Sequence, residues 1–113
     1  MGALEAEKCV ACRPDSPRLA GAELAELRKE VPEWTLAEHE GIQRLERVFR
    51  FPNFVDALAF TNRVGALAEE HGHHPALRTE WGRVTVSWWT HAINGLHRND
   101  VIMAAKTDAL SGR

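Results

Sequence analysis

The stretch RVTVSWWT, Arg83–Thr90, contains the clearest strand pattern in this chain. Its residues alternate in character, which is typical of a strand with one buried face and one more polar face. The two sets are Val84, Val86 and Trp88 on one side, and Thr85, Ser87 and Trp89 on the other. Gly82 predicts a turn before this strand, and Ala76–Trp81 predicts a short strand before the turn. We therefore expect an antiparallel hairpin here.

A second hairpin is predicted earlier in the chain. Trp34–Glu38 and Gln43–Phe51 have strand character, and between them lies His39-Glu40-Gly41. Gly41 is able to adopt the positive φ that a tight hairpin turn requires. Alternate residues of the second strand share one face, namely Leu45, Arg47, Phe49 and Phe51.

Three helices are predicted around these hairpins. The first spans Gly21–Glu30 and ends before Pro32, the second follows the N-cap Asn53 and ends at Gly72, and the third runs from about Asn99 to Leu110. The order is helix-strand-strand-helix-strand-strand-helix. It predicts an α+β fold with two layers, in which helices pack on one face of an antiparallel four-stranded sheet. A parallel nucleotide-binding sheet is not expected, since no Gly-rich phosphate loop is present.

The composition indicates one globular domain. The chain has 113 residues, 44% of them hydrophobic, which is enough for one core. We expect a weakly structured leader at residues 1–18 and the domain at residues 19–113. The net charge is −2, from 14 basic and 16 acidic residues, so a nucleic-acid partner is not expected and a small neutral ligand is.

The sequence also predicts that the protein is cytoplasmic. No apolar run approaches the roughly 20 residues that cross a bilayer, so no membrane partner is expected. The N-terminal residues Met1–Lys8 lack the basic start and apolar stretch of a signal peptide.

Two cysteines, Cys9 and Cys12, have the C-x-x-C spacing of half a zinc site or of a redox pair. A zinc ribbon needs a second C-x-x-C, which this chain lacks. A thioredoxin-like pair lies between a strand and a helix, whereas this one lies in a segment broken by Pro14 and Pro17. The favoured interpretation is two thiols in a leader without a shared site.

Four histidines fall within 21 residues: His71, His73, His74 and His91. Histidine exchanges protons near neutral pH, so such clusters indicate either proton transfer or metal binding. Pro75 favours an extended conformation for His74, so that His73 and His74 point apart and make a poor pair of ligands for one metal.

Two further predictions concern the ends of the last strand and the last helix. We expect His91 at the end of the strand, on its polar face. Asp100 lies near the start of the last helix, where it complements the helix dipole. His39, His71 and His97 are expected to be ordinary surface or helix-end residues.

Residue types alone leave the function of this cluster open. A proton-transfer site and a set of ordinary hydrogen-bonded histidines fit equally well, and zinc fits less well because no H-E-x-x-H or tight tetrad is present. Trp81, Trp88 and Trp89 are candidates for stacking on a flat heterocycle, although tryptophan is more often part of a core or an interface.

The order and spacing of one set of residues is more specific. An acidic residue, a His-His-Pro, an aromatic residue, a third histidine and an aspartate follow one another: Glu69, His73-His74-Pro75, Trp81, His91 and Asp100. This set resembles the signature of the pterin-4a-carbinolamine dehydratases, a family also known as the dimerisation cofactor of a homeodomain transcription factor. The resemblance covers roughly residues 19–110. Gly72 replaces the usual Asn, Trp88-Trp89 is bulkier than usual, and His97 replaces a Thr that caps the last helix, so that Asn99 is the expected cap.

The resemblance implies a hydro-lyase that converts 4a-hydroxytetrahydropterin (4a-hydroxytetrahydrobiopterin) to quinonoid dihydropterin and water, in tetrahydropterin recycling, without a metal or cofactor. It implies catalytic roles for His73, His74, His91 and Asp100. His73 and His91 would act as acid and base, His74 would hold the pterin or share the protons, and Asp100 would orient a histidine and stabilise its charged form. Four further residues would bind the substrate or support the site: Glu69, Pro75, Trp81 and Thr90.

The resemblance also implies a homodimer or homotetramer, and Trp89 with Phe49 or Phe51 is a candidate interface. Two alternatives stay open at this point. One is a non-catalytic dimerisation or transcription cofactor, and the other is a role in another pterin or molybdopterin pathway on the same fold.

Overall fold

A computed structural model describes residues 3–10 and 15–111 and confirms the predicted α+β class and order of elements. One further helix precedes the predicted ones, and a short 3₁₀ turn, His91–Ile93, precedes the last helix. The helices are α1 (Ala3–Ala6), α2 (Gly21–Arg28), α3 (Phe54–His71) and α4 (Arg98–Leu110). The strands are β1 (Thr35–His39), β2 (Ile42–Arg50), β3 (Ala76–Glu80) and β4 (Arg83–Trp88). Of the helices in these residues, none is long and apolar enough to cross a membrane.

The sheet is antiparallel throughout, in the order β1-β2-β4-β3. Leu45 lies opposite Trp88, and Phe49 lies opposite Val84, which unites the apolar faces of the two hairpins under the helices. All four of these side chains are buried. The predicted alternation therefore determines which face of the sheet forms the core.

The first hairpin turns at Glu40-Gly41. Both residues have positive φ, 53° and 79° respectively, as a two-residue turn of the I′ kind requires. The conformation matches the right-handed twist of the two strands. Gly41 adopts it without strain, whereas Glu40 is a rarer residue there.

Helix α3 begins and ends where the sequence predicts. The Asn53 side chain accepts a hydrogen bond from the backbone N–H of Asp56 at 2.7 Å, and Gly72 ends the helix in the left-handed conformation at φ 60°. Asn and Gly both tolerate that conformation, so Gly72, which stands where the family usually has Asn, ends the helix in the same way. The buried stripe consists of Ala57, Phe60, Val64 and Ala68.

Replacing Asn53 with alanine is expected to lower the free energy of unfolding by about 1 kcal/mol, because the backbone N–H of Asp56 loses its partner. Chemical denaturation of both proteins measures the change. The matched control is Asn62→Ala, at an exposed position within α3. There alanine has the higher helix propensity, so stability should be unchanged or slightly greater. An equal loss in both variants would contradict the capping role.

Helix α4 is fixed to the sheet near its C-terminus. The indole N–H of Trp34 donates to Oδ1 of Asp108 at 2.8 Å, and Arg47 donates to the same oxygen at 2.6 Å. Burial raises the pKa of Asp108, while these two donors lower it. The indole N–H of Trp88 donates to the hydroxyl of Thr107 at 3.1 Å. These contacts orient the helix, and so determine where its N-terminal end lies.

The N-terminal segment differs from the weakly structured leader that the sequence predicts. Residues 3–10 include helix α1 and pack along α4, and the side chain of Leu4 is only 4% exposed. Burial of Leu4 together with polar contacts to α4 explains the difference, since residues 3–10 have partners far away in sequence. Cys12 lies outside the described residues.

Two predictions that depended on strand parity are wrong. Strand β4 ends at Trp88, so His91 lies in the 3₁₀ turn and has no strand face. Trp89 does not form one exposed interface with Phe49 or Phe51, because Phe49 is 5% exposed within the core, and Phe51 is partly buried and packs against the same core. Trp89 is on the opposite side, where it stacks on His91.

Candidate active site

A buried carboxylate organises the predicted site. Asp100 has no exposed surface, and both of its oxygens accept hydrogen bonds. Oδ1 lies 2.7 Å from Nε2 of His73. Oδ2 accepts from the hydroxyl of Thr90 at 2.7 Å and from the backbone N–H of His97 at 2.9 Å. The structure thus brings together three of the predicted residues from three different segments.

The start of α4 fixes the position of Asp100. His97 is the N-cap, and its Nδ1 accepts from the backbone N–H of Asn99 at 3.0 Å. The contact of Asp100 with the His97 backbone completes a capping box. The expectation that His97 removes the cap and that Asn99 replaces it is therefore wrong, because an imidazole nitrogen accepts the bond that a hydroxyl would.

His73 is held on its face as well as at its edge. Its ring stacks on Trp88 with centroids 5.8 Å apart and planes 14° apart. The side chain is only 10% exposed, whereas that of His74 is 56% exposed. Trp88 has no exposed surface, so it supports His73 and offers no face to a ligand.

His74 points to a different partner from His73. Its Nε2 lies 2.5 Å from Oε2 of Glu69, one turn back at the end of α3. Glu69 is mostly exposed. The separate partners confirm that the two adjacent imidazoles point apart.

His91 approaches the same place from the other side. Its Nε2 lies 3.2 Å from the backbone carbonyl of His74. A carbonyl only accepts, so Nε2 is the donor and Nδ1 is the nitrogen left for other chemistry. Trp89 stacks on His91 at 4.5 Å, and the guanidinium of Arg44 lies 4.0 Å from the centroid of Trp89.

The three histidines line a cavity of about 330 Å³ together with Thr90. This volume is at the lower end of the range for small-molecule sites. Asp100 lies behind the wall, where it contacts His73 and Thr90. Among residues 3–10 and 15–111, no group of three or more His, Cys, Asp or Glu side chains is arranged to hold a metal ion.

Some predicted residues lie elsewhere. Trp81 is 74% exposed in the turn between β3 and β4, whereas the histidines lie at the opposite end of that hairpin, roughly 16 Å away along β3. Within one subunit it does not reach the cavity. Pro75 precedes β3 and is not part of the cavity wall. The carboxylate of Glu69 contacts the cavity residue His74, and its backbone carbonyl accepts from the N–H of Gly72 at 3.4 Å.

Among the described residues, six that line the cavity were not predicted as site residues. They are Cys9, Val10, His71, Gly72, Ala92 and Asn99. His71 belongs to the histidine cluster, so its residue type was a usable signal. Cys9 and Val10 belong to the leader, and nothing in their local sequence indicates where they pack.

Comparison with known proteins gives a consistent result. A sequence model of the family described as "Pterin 4 alpha carbinolamine dehydratase" matches residues 17–110. A "Putative pterin-4-alpha-carbinolamine dehydratase 1" of Gloeobacter violaceus is 61% identical over 110 residues, which cover 97% of this chain and 95% of the relative. A "Putative pterin-4-alpha-carbinolamine dehydratase" of Nitrosococcus oceani is 58% identical over 107 residues, 95% of each chain.

Solved structures show the same fold. The crystal structure of a transcriptional coactivator/pterin dehydratase from Brucella melitensis has a TM-score of 0.76 and 31% identity, and the match covers 85% of this chain and 100% of that one. A pterin dehydratase-like protein, described as a RuBisCO assembly factor in the alpha-carboxysome, has a TM-score of 0.60 and 26% identity, over 71% of this chain and 90% of that one. The match of the family model to most of the chain, with relatives near 60% identity, shows that this chain belongs to the pterin-4-alpha-carbinolamine dehydratase family.

Proposed function

We propose that this chain dehydrates 4a-hydroxytetrahydropterin, with 4a-hydroxytetrahydrobiopterin as the natural form, to quinonoid dihydropterin and water. The observation that supports this most is the pair His73 and His91 on the wall of one cavity, with the carboxylate of Asp100 bonded to His73. The elimination needs a proton donor and a proton acceptor on a flat ring system, and two imidazoles in one small cavity provide both.

The proposed reaction conserves atoms and charge. One histidine gives a proton to the hydroxyl on C4a, the C–O bond breaks, and water leaves. The ring nitrogen next to C4a loses its proton to the second histidine, and the C–N double bond forms. A second proton exchange with water restores both imidazoles.

The contacts suggest how the two histidines divide this work. Nδ1 of His91 is left to accept, because Nε2 donates to the carbonyl of His74, so we assign the base role to His91. His73 has a carboxylate on one nitrogen, which compensates the charge of the protonated ring, so we assign it the acid role. His74, which is more exposed and lies beside Glu69, would hold the pterin or share protons.

The purified protein should accelerate the dehydration of chemically prepared 4a-hydroxytetrahydropterin, followed by ultraviolet absorbance. Acceleration should persist in protein shown by elemental analysis to contain no stoichiometric metal. A rate equal to that of buffer alone would reject the dehydratase activity and would favour the non-catalytic alternative, a dimerisation or transcription cofactor. A metal-dependent rate would reject the metal-free mechanism.

Two other expectations stay predictions. The oligomeric state, a homodimer or homotetramer, and the cytoplasmic location are both predicted from the sequence. On the polar face of the sheet, opposite the helices, a groove of about 460 Å³ is open to solvent in the single subunit.

A further inference from the structure

The two histidines of the proposed proton transfer are supported in different ways. His73 is only 10% exposed, and its ring is bonded to the buried carboxylate of Asp100. His91 is exposed in the 3₁₀ turn, and its hydrogen bond within the described residues is the 3.2 Å contact of Nε2 with the carbonyl of His74. One hydrogen bond fixes one atom of the ring and leaves the ring plane free to turn. A misplacement of about 1 Å costs a catalytic group about 100-fold in rate, so His91 needs a second support.

The indole of Trp89 provides that second support. Its ring stacks on the imidazole of His91, with centroids 4.5 Å apart and planes 29° apart. The preceding residue, Trp88, stacks on His73. Because successive residues of an extended segment point to opposite faces, the two adjacent indoles reach the two histidines from opposite sides of the sheet. The bulky Trp88-Trp89 pair therefore contacts both proposed proton-transfer groups.

Arg44 in turn contacts the indole of Trp89. Leu45 of β2 pairs with Trp88 of β4, so the same antiparallel register brings Arg44 beside Trp89. The guanidinium carbon lies 4.0 Å from the centroid of the indole. Nε of Arg44 is buried and has no hydrogen-bond partner among the described residues. The contact that holds this guanidinium is therefore the cation–π contact with the indole, which restrains the ring of Trp89.

We propose that Trp89 and Arg44 are positioning residues for the catalytic base. The indole fixes the ring plane of His91 so that Nδ1 stays directed at the substrate, and the guanidinium fixes the indole. This inference rests on the proposed function. Of the described residues that line the histidine cavity, none is Trp89 or Arg44, so both act through the imidazole. Their loss should therefore lower kcat and leave KM nearly unchanged.

The first test removes the stacked ring. In Trp89→Ala, kcat for 4a-hydroxytetrahydropterin should fall about 10- to 100-fold with KM within about twofold, because His91 remains but its ring plane is free. Trp89→Phe retains an aromatic face and should restore kcat to within about threefold of wild type. Val48→Ala is the control. It truncates an exposed side chain on the same face of the sheet and should change neither constant. Thermal unfolding checks that each variant is folded.

The second test removes the cation and preserves the indole. Arg44→Gln should lower kcat about two- to fivefold, the usual strength of a cation–π contact expressed as a rate. The same change made in Trp89→Ala should have no further effect, because Arg44 acts only through the indole. Arg50→Gln is the matched control, since Arg50 is an exposed arginine of the same strand and should leave kcat unchanged.

The double variant Trp89→Ala/His91→Ala distinguishes positioning from a general structural role. It should be as slow as His91→Ala alone, because an indole that acts through the imidazole has nothing left to position. Losses that multiply, or a higher KM with unchanged kcat in Trp89→Ala, would overturn the proposal. The first would show an effect on the fold, and the second a direct contact with substrate.

Proton NMR of His91 tests the positioning without any catalysis. An indole face shifts the ring-proton signals of a stacked imidazole upfield, and comparison with His91→Ala identifies those signals. The upfield shift should be lost in Trp89→Ala and reduced in Arg44→Gln, while Arg50→Gln preserves it. If wild type does not accelerate the dehydration, the proposed function fails. Signals unchanged in Trp89→Ala or Arg44→Gln would overturn the positioning role, whether or not the protein is a dehydratase.

Discussion

Replacing His73 with alanine is expected to lower kcat/KM for 4a-hydroxytetrahydropterin by about 10²–10⁴-fold, the usual contribution of a positioned proton-transfer group. Two contacts set the geometry of this imidazole, the 2.7 Å contact with Asp100 and the stack on Trp88, and the side chain is only 10% exposed. Water in the vacated space would lack the orientation of the ring and would be a much weaker proton donor than the protonated imidazole. Steady-state rates measured by ultraviolet absorbance test the expectation.

His91→Ala is expected to show a loss of the same order, because the two imidazoles act in one reaction from two sides of the cavity. His39→Ala is the matched control. His39 is exposed at the end of β1, where its Nε2 lies 3.3 Å from Glu46, and its loss should change the rate by less than about twofold. If His73→Ala is folded and as active as the control, the assignment of His73 is wrong. Full activity in His91→Ala would show that His91 is not the catalytic base.

The strands and α3 were predictable because local rules determine them. The alternation in RVTVSWWT defines β4 and its buried face, and Asn53 and Gly72 mark the ends of α3 through caps that depend only on adjacent backbone. The contacts between strands pair the apolar faces that these local patterns already define. The α+β order followed from these segments alone.

The N-terminal segment could not be predicted in the same way. Its position depends on Glu7 meeting Arg98 and on Val10 meeting Asn99, pairs separated by 91 and 89 residues. Such pairings appear only after α4 has been placed by the core, so no local pattern reveals them. Composition alone, with prolines and mixed charge, resembles a disordered tail.

The site was predictable only in part, for a related reason. The signature supplied His73, His91 and Asp100, but spacing could not show that Asp100 also closes the cap of α4 through His97. Trp81 fitted the same signature, yet the hairpin places it at the far end of β3. A sequence pattern groups residues by their order along the chain, and only the register of β3 and β4 shows which ends meet.

Replacing Asp100 with asparagine is expected to damage both stability and catalysis. The carboxylate accepts on both oxygens, from Thr90 and His97 on one and at His73 on the other. An amide has one acceptor oxygen, so its NH₂ group faces either the backbone N–H of His97, which is a donor, or Nε2 of His73, which can accept only after giving up its own proton. We expect the free energy of unfolding to fall by about 1–3 kcal/mol, measured by chemical denaturation, because either a buried donor loses its partner or His73 must change its protonated nitrogen.

The catalytic loss in Asp100→Asn should resemble that of His73→Ala and should not add to it. Asp100 acts on the reaction through the imidazole, so the double variant should be about as slow as His73→Ala alone, whereas independent effects would multiply. Asp56→Asn is the matched control. Asp56 also lies in the first turn of its helix, three residues after the N-cap Asn53, but it is exposed, and only its interaction with the helix dipole is lost, about 0.3–1 kcal/mol with no change in rate. Multiplying losses in the double variant would show that Asp100 acts apart from His73, and the hydrogen bond between them would then be structural only.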